Sequence, residues 1–143
     1  MQMPDVNVLV YAHRTDAPEH AAAARVLRGL VEGAQPFAVS EPVLTGFLRV
    51  VTLRSLSSSP TALAVALEFV AELTSTPNGR LVRPGPRHLG IFLDLCQRTG
   101  ATGKLVADAA HAALAIEHGC EWLTADGDFA RFPGLRWRHA LRP

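Results

Sequence analysis

The sequence has little of several features that mark large functional classes. Its 143 residues contain only two cysteines, Cys96 and Cys120, which form no CxxC pair. Two separate thiols are typical of a protein kept reduced in the cytoplasm, and a single disulfide is the less favoured alternative. No apolar run approaches the ~20 residues of a membrane-spanning helix. The N-terminus also lacks a signal-peptide pattern, so we expect a cytoplasmic protein without a membrane anchor.

Sequence motifs for several common chemistries are also missing. The chain has no Walker loop and no GxGxxG turn, which argues against nucleotide binding by a glycine-rich loop. It has no GxSxG motif, so serine hydrolase chemistry is not indicated. Its six histidines show no HExxH spacing and no paired cysteines, and a zinc site is therefore not expected.

Neither sign of charge is in large excess, since the formal net charge is +1. Such a balance does not by itself predict a polyanionic partner. All basic residues except Lys104 are arginine, whose flat fork of donors suits phosphate, although a GC-rich genome also favours arginine codons. Two basic groups offer phosphate contacts, with a solvated surface as the alternative for each: Arg80, Arg83, Arg87 and His88, and then Arg131, Arg136, Arg138, His139 and Arg142.

Short apolar strands alternate with helices along the whole chain. The pattern predicts strands over 2–5, 36–39, 81–83, 121–124 and 135–138, and helices over 7–13, 18–32, 41–53, 60–73, 86–98 and 104–118. A serine-rich loop is predicted over 55–59. This alternation indicates a single α/β domain over 1–143, with a parallel sheet covered by helices on both faces. Pro4 is unusual in such a sheet, because it has no N–H for the ladder.

Carboxylates follow several of the predicted strands, at the edge where ligands bind to a parallel sheet. Asp5, Glu41 and Asp126 each follow a predicted strand, and the carboxyl ends of parallel strands share one edge. Asp108 lies in an apolar helix, where a buried carboxylate needs a cation. That cation is either a metal ion or Lys104, one helical turn earlier.

Carboxylates that converge repel one another unless they share a cation. Oxygen ligands alone suit Mg²⁺ or Mn²⁺, which keep several waters and accept phosphate oxygens. The chemistry indicated by this pattern is metal-assisted hydrolysis of a phosphodiester.

The same residues carry a resemblance to the PIN-domain nucleases. The opening Asp5-Val6-Asn7 resembles the D-x-N start of that family, and Glu41 and Asp108 resemble its second and third acids. The segment TADGDF over 124–129 resembles the T-x-D-x-D-F segment of the family, and FPGLRW over 132–137 is similar to the ending of its VapC toxins. The resemblance covers nearly the whole chain, with the motifs in the right order.

This resemblance implies a PIN-like three-layer sandwich of about five short parallel strands flanked by helices. It also implies an Mg²⁺- or Mn²⁺-dependent endoribonuclease that cleaves tRNA or rRNA, forms a homodimer and is inhibited by a VapB-type antitoxin. The alternative is a non-catalytic module that binds RNA or an antitoxin and in which the acids are structural.

The resemblance assigns functions to seven side chains. Four acids would act in catalysis and hold the ion directly or through water: Asp5, Glu41, Asp108 and Asp126. Metal ligation is expected first of Asp5, Asp108 and Asp126. Three further residues would support them: Asn7, Thr124 and Asp128. The alternatives for these three are a helix cap, a plain strand residue and a capping acid. The resemblance also implies a second possible role for Asp128, which is to bind a second ion.

Lys104 departs from the family pattern, in which many members have asparagine. A cation at this position either reduces the affinity for the metal ion or holds a phosphate.

Overall fold

A computed structural model describes residues 1–55 and 59–142 of the chain. Its five strands are β1 (Gln2–Pro4), β2 (Phe37–Ser40), β3 (Gly79–Val82), β4 (Glu121–Thr124) and β5 (Trp137–His139). They form one sheet in the order β3-β2-β1-β4-β5. Every neighbouring pair is parallel. The predicted α/β architecture with five short parallel strands is therefore confirmed.

Within residues 1–55 and 59–142, six helices connect the strands, close to the positions predicted. They are α1 (Val6–His13), α2 (His20–Glu32), α3 (Glu41–Thr52), α4 (Leu63–Thr74), α5 (His88–Thr99) and α6 (Lys104–Glu117). A short 3₁₀ helix over Gly127–Arg131, which the sequence pattern did not indicate, follows β4. Most of the predicted serine-rich loop falls on residues 56–58, which lie outside the described residues.

The connections divide the helices between the two faces of the sheet. From β1 the chain moves outward to β2 and then to β3, whereas the β3–β4 connection returns past β1 in the opposite direction. Right-handed crossovers then place α1–α4 on one face and α5 with α6 on the other. The packing agrees, because α5 contacts α6 while α1 contacts α2 and α3. The result is the three-layer sandwich expected from the sequence.

The reversal of direction occurs between β1 and β4. In open parallel sheets, such a switch point leaves a crevice at the carboxyl ends of the two strands, because the following loops turn away from each other. The fold therefore opens a crevice where Asp5 follows β1 and Asp126 follows β4.

Aromatic side chains fill both layers of the core. Trp122 on β4 is fully buried, with its ring centroid 5.6 Å from that of His111 on α6 and 5.4 Å from that of Phe129. On the opposite face, Phe47 of α3 stacks on Phe69 of α4 at 4.7 Å. These contacts hold α6 against the sheet and α3 against α4.

The position of Pro4 in the central strand has a structural explanation. The N–H of Asp5 donates to the carbonyl oxygen of Leu123 on β4 at 2.8 Å. Because successive residues of a strand alternate in direction, the nitrogen of Pro4 faces β2 instead. The pairing of β1 with β2 is at Gln2, opposite Phe37, so no ladder bond is required from Pro4.

Two further expectations concern the cysteines and the membrane. Cys96 and Cys120 are free thiols, as predicted. Within the described part of the chain, none of the helices has both the length and the apolar character to cross a bilayer.

The two faces of α5 provide a test of the core. Leu95 is 2% exposed, whereas Leu89 on the same helix is 62% exposed. We expect Leu95→Ala to lower the free energy of unfolding by about 2–5 kcal/mol, because it removes buried methyl groups and leaves a cavity. Leu89→Ala is the matched control and should change it by less than about 0.5 kcal/mol. Urea unfolding followed by circular dichroism measures both, and equal effects would contradict the packing of α5.

Candidate active site

Asp5 is the buried centre of the crevice. It has an extended backbone as the N-cap of α1, and its Oδ1 accepts the N–H of Val6 at 2.6 Å. The residue is only 5% exposed. A carboxylate at that depth is stable only when hydrogen bonds replace the water that it has lost.

Those hydrogen bonds come from β4 and from the first turn of α1. Oδ2 of Asp5 accepts the hydroxyl of Thr124 at 2.5 Å and the Nδ2 amide of Asn7 at 2.8 Å. Oδ1 of Asn7 in turn accepts the N–H of Ala125 at 3.0 Å, and Oγ1 of Thr124 accepts the N–H of Asp126 at 3.0 Å. The network joins the end of β1 to the end of β4. Asn7 and Thr124 thus both contact Asp5, and the helix cap is Asp5 itself.

Asp108 and Asp126 face each other across the ammonium of Lys104. Nζ of Lys104 lies 2.7 Å from Oδ2 of Asp126 and 3.3 Å from Oδ2 of Asp108. The carboxylate of Asp126 is also held by the N–H of Asp128, which donates to Oδ1 at 2.9 Å. The sequence left a metal ion or Lys104 as the cation beside Asp108. The lysine lies at the position where a shared metal ion is expected, so the two explanations concern the same place.

The pKa values of the three aspartates record this environment. The pKa of Asp5 is raised to about 6, chiefly by burial and to a smaller extent by the charges of Asp108 and Asp126, against the lowering effect of its hydrogen bonds. Burial also raises the pKa of Asp108, although Lys104 opposes the shift. The hydrogen bond from Lys104 lowers the pKa of Asp126. The three carboxylates are therefore close enough to influence one another electrostatically.

These side chains lie in one cavity of about 400 Å³, which we call the acidic cleft. Its polar lining combines three carboxylates with an arginine, a lysine, a histidine, an amide and a phenol. The residues that line it are Asp5, Val6, Asn7, Val10, Tyr11, Gly46, Arg49, Val50, Lys104, Ala107, Asp108, His111, Asp126 and Phe129. A larger cavity of about 610 Å³ lies at the amino ends of β1 and β4 and brings no cluster of carboxylates together.

Two of the predicted acids are placed differently. Glu41 follows β2 at the same edge of the sheet, but it does not line the acidic cleft, and its Oε1 lies 2.7 Å from Nε of Arg83. The side chain of Asp128 is exposed and lies 3.7 Å from Arg131. Asp128 contacts Asp126 through its backbone N–H rather than through its carboxylate.

The donor set of the cleft fits a divalent cation in kind. Asp5, Asp108 and Asp126 offer only oxygen ligands, which Mg²⁺ and Mn²⁺ prefer. The hydrogen bonds to the Asp5 side chain come from neutral donors, so its charge is not balanced by a contact with a cation. Across 1–55 and 59–142, no three His, Cys, Asp or Glu side chains lie close enough together to hold a metal. The ammonium of Lys104 lies between two of the three acids instead.

Comparison with known proteins assigns nearly the whole chain to one family. The family model of the PIN domain matches residues 3–135. Ribonuclease VapC43 of Mycobacterium tuberculosis is 45% identical over 137 residues, which cover 96% of this chain and 93% of the relative.

Two solved structures have the same fold. VapBC2 from Rickettsia felis, bound to a DNA fragment from its promoter, matches with a TM-score of 0.70 and 19% identity over 96% of each chain. VapC20 of Mycobacterium tuberculosis, described as a toxin that cleaves the sarcin-ricin loop, has a TM-score of 0.69 and 16% identity over 95% of this chain and 99% of that one.

The raised pKa of Asp5 predicts a dependence of stability on pH. Because the pKa is about 6 in the folded chain and 3.8 ordinarily, the folded state binds the Asp5 proton more tightly. The Asp5 contribution to stability is therefore full below about pH 4 and is lost as the pH rises through 6. Asp5→Asn abolishes this titration but also turns one accepting oxygen into a donor, so only the pH-dependent part of the effect is predicted. The free energy of unfolding of the variant, relative to that of the wild type, should be higher at pH 7.5 than at pH 4 by up to about 3 kcal/mol.

Urea unfolding in EDTA at several pH values measures this difference, which should fall towards pH 4. Asp94→Asn on the exposed side of α5 is the control and should change stability little at any pH. A difference between Asp5→Asn and the wild type that stays constant from pH 4 to 7.5 would refute the assignment.

Proposed function

Since the chain belongs to the PIN-domain family, among the VapC ribonucleases, we propose that it is a metal-dependent endoribonuclease and the toxin of a toxin–antitoxin pair. The observation that carries this proposal is the gathering of Asp5, Asp108 and Asp126 in one cleft at the switch point of the sheet. A fold keeps a buried carboxylate beside two others at a cost in stability, and such an arrangement is typical of active sites.

In this proposal, Asp5, Asp108 and Asp126 hold Mg²⁺ or Mn²⁺, directly or through water. The ion, when bound, polarises the phosphodiester and lowers the pKa of a water that it carries, which supplies the nucleophile. Asn7 and Thr124 hold the Asp5 carboxylate in one orientation, because each donates to its Oδ2.

Other residues of the cleft position the RNA. Arg49 of α3 is exposed and lines the acidic cleft, so its guanidinium is available to a backbone phosphate. Tyr11 lines the same cleft and presents an aromatic ring near the acids. Single-stranded loops of structured RNA reach such a site most readily, because their bases are already unstacked. This geometry supports tRNA or rRNA as the substrate, and the similarity to VapC20 supports the same class.

The partner proposed for this chain is a VapB-type antitoxin. The Rickettsia felis neighbour is a VapBC assembly, and this chain exposes several apolar side chains on α4 and α5 that a partner helix could cover: Leu63, Val65 and Leu67, then Leu89 and Leu93. We propose a homodimer in the cytoplasm for the toxin itself.

Substitution of the metal-binding aspartates tests the catalytic proposal. Asp108→Asn and Asp126→Asn should each lower cleavage of an RNA substrate by about 100-fold or more, because each removes a charged ligand from the ion. Gel analysis of RNA fragments measures cleavage, which EDTA should abolish and added Mn²⁺ restore. Asp94→Asn on α5 is the control and should retain full activity. RNA binding without any metal-dependent cleavage would instead support a binding module with structural acids. Cleavage by the pure protein that persists in EDTA would contradict the role of the ion.

Glu41 needs a separate experiment, because it contacts Arg83 rather than the cleft. We expect Glu41→Gln to lower cleavage by about tenfold, less than the aspartate variants, since its carboxylate must leave Arg83 before it can help to hold an ion. Arg83→Gln frees Glu41 and should leave cleavage equal to or above that of the wild type. A loss as large as that of Asp108→Asn would place Glu41 among the principal ligands.

A further inference from the structure

The contacts of Lys104 are set by the fold more than by the spacing of α6. Nζ lies 2.7 Å from Asp126, which is 22 positions away, and 3.3 Å from Asp108, at i,i+4. An ordinary pair on one helix would favour the i,i+4 partner. The ammonium is instead closer to the acid that follows β4. It therefore bridges two segments that converge only in the folded chain.

The start of α6 is a locally unfavourable place for this cation. Lys104 is the first residue of the helix, where the partial positive charge of the helix terminus repels an ammonium. The first turn contains no acidic residue, and Gly103 provides no capping side chain. Gly103 has φ of +57°, a conformation that favours glycine and directs the chain into the helix. The attraction of Asp108 and Asp126 therefore accounts for the position of the ammonium.

Exposure allows the ammonium to leave without unfolding. The side chain of Lys104 is 70% exposed, whereas those of Asp108 and Asp126 are 13% and 28% exposed. The two carboxylates are thus recessed, and the lysine covers them from the solvent side. A rotation of its flexible stem is enough to uncover them.

We propose that the Lys104 ammonium is an internal competitor for the divalent cation, which has to displace it from Asp108 and Asp126 before the site is complete. This inference rests on the proposed function, because it concerns the same ion. The ammonium neutralises the acids in the absence of metal, and it repels an incoming cation at the same position. The chain therefore binds the ion more weakly than its three aspartates alone would allow.

Binding of Mn²⁺ alone, measured by isothermal titration calorimetry, tests the inference. Lys104→Met keeps the length of the side chain and removes its charge, and it should tighten Mn²⁺ binding by about 10- to 100-fold. Lys104→Arg keeps the charge and should bind Mn²⁺ as weakly as the wild type. Arg98→Met is the matched control, because Arg98 forms an i,i+4 pair with Asp94 at 3.4 Å, away from the cleft. It should leave the affinity unchanged.

Thermal unfolding gives a second measurement that does not depend on activity. Without metal, Lys104→Met should have a Tm roughly 2–6 °C below that of the wild type, because Asp108 and Asp126 lose their counter-ion. With Mn²⁺, it should gain more in Tm than the wild type does. A Tm that is unchanged in EDTA would show that the ammonium does not stabilise the acids and would overturn the inference.

The outcome also separates this inference from the proposed function. If the wild type cleaves RNA only with a divalent ion and Lys104→Met binds Mn²⁺ no more tightly, the competitor is refuted and the nuclease stands. If neither protein binds Mn²⁺ and cleavage persists in EDTA, both proposals fail.

Discussion

The hydrogen bonds to the buried carboxylate of Asp5 are the interaction on which the site depends. They come from Thr124 at the end of β4 and from Asn7 and Val6 in α1, so one side chain connects the two strands at the switch point of the sheet. A carboxylate that is 5% exposed without these donors would be strongly destabilising. The same bonds fix the direction in which its oxygens point. Stability and the orientation of the site thus have a common source.

Much of this arrangement follows from local sequence features. Short apolar runs predict the strands. An acid directly after such a run has to lie at the carboxyl edge of a parallel sheet. That reasoning brings Asp5 and Asp126 together although they lie far apart in the sequence. It also places Glu41 at the same edge, as the structure does. The convergence of these acids is a consequence of topology, which the alternation of helices and strands already specifies.

Contacts that depend on tertiary packing could not be predicted from the sequence in this way. The sequence shows the i,i+4 spacing of Lys104 and Asp108 but has no signal for the shorter contact with Asp126. The sequence also has no signal for the stacking of the His111 ring on Trp122, in which Nδ1 of the histidine is buried. That stacking depends on how closely α6 approaches β4. The contact between Glu41 and Arg83 likewise depends on the directions of the two side chains, which the sequence does not show.

The crowding of acids at this edge has a physical consequence for the whole site. A sheet that brings carboxylates together must neutralise them even when no metal is bound. The acids of this chain are held in three ways: Asp5 has neutral donors and a raised pKa, Asp108 and Asp126 share Lys104, and Glu41 contacts Arg83. Only the first of these leaves an uncompensated charge, and it lies deepest in the cleft. In the proposed function, the uncompensated charge of Asp5 attracts the cation, and the ammonium of Lys104 sets how strongly that cation must compete for Asp108 and Asp126.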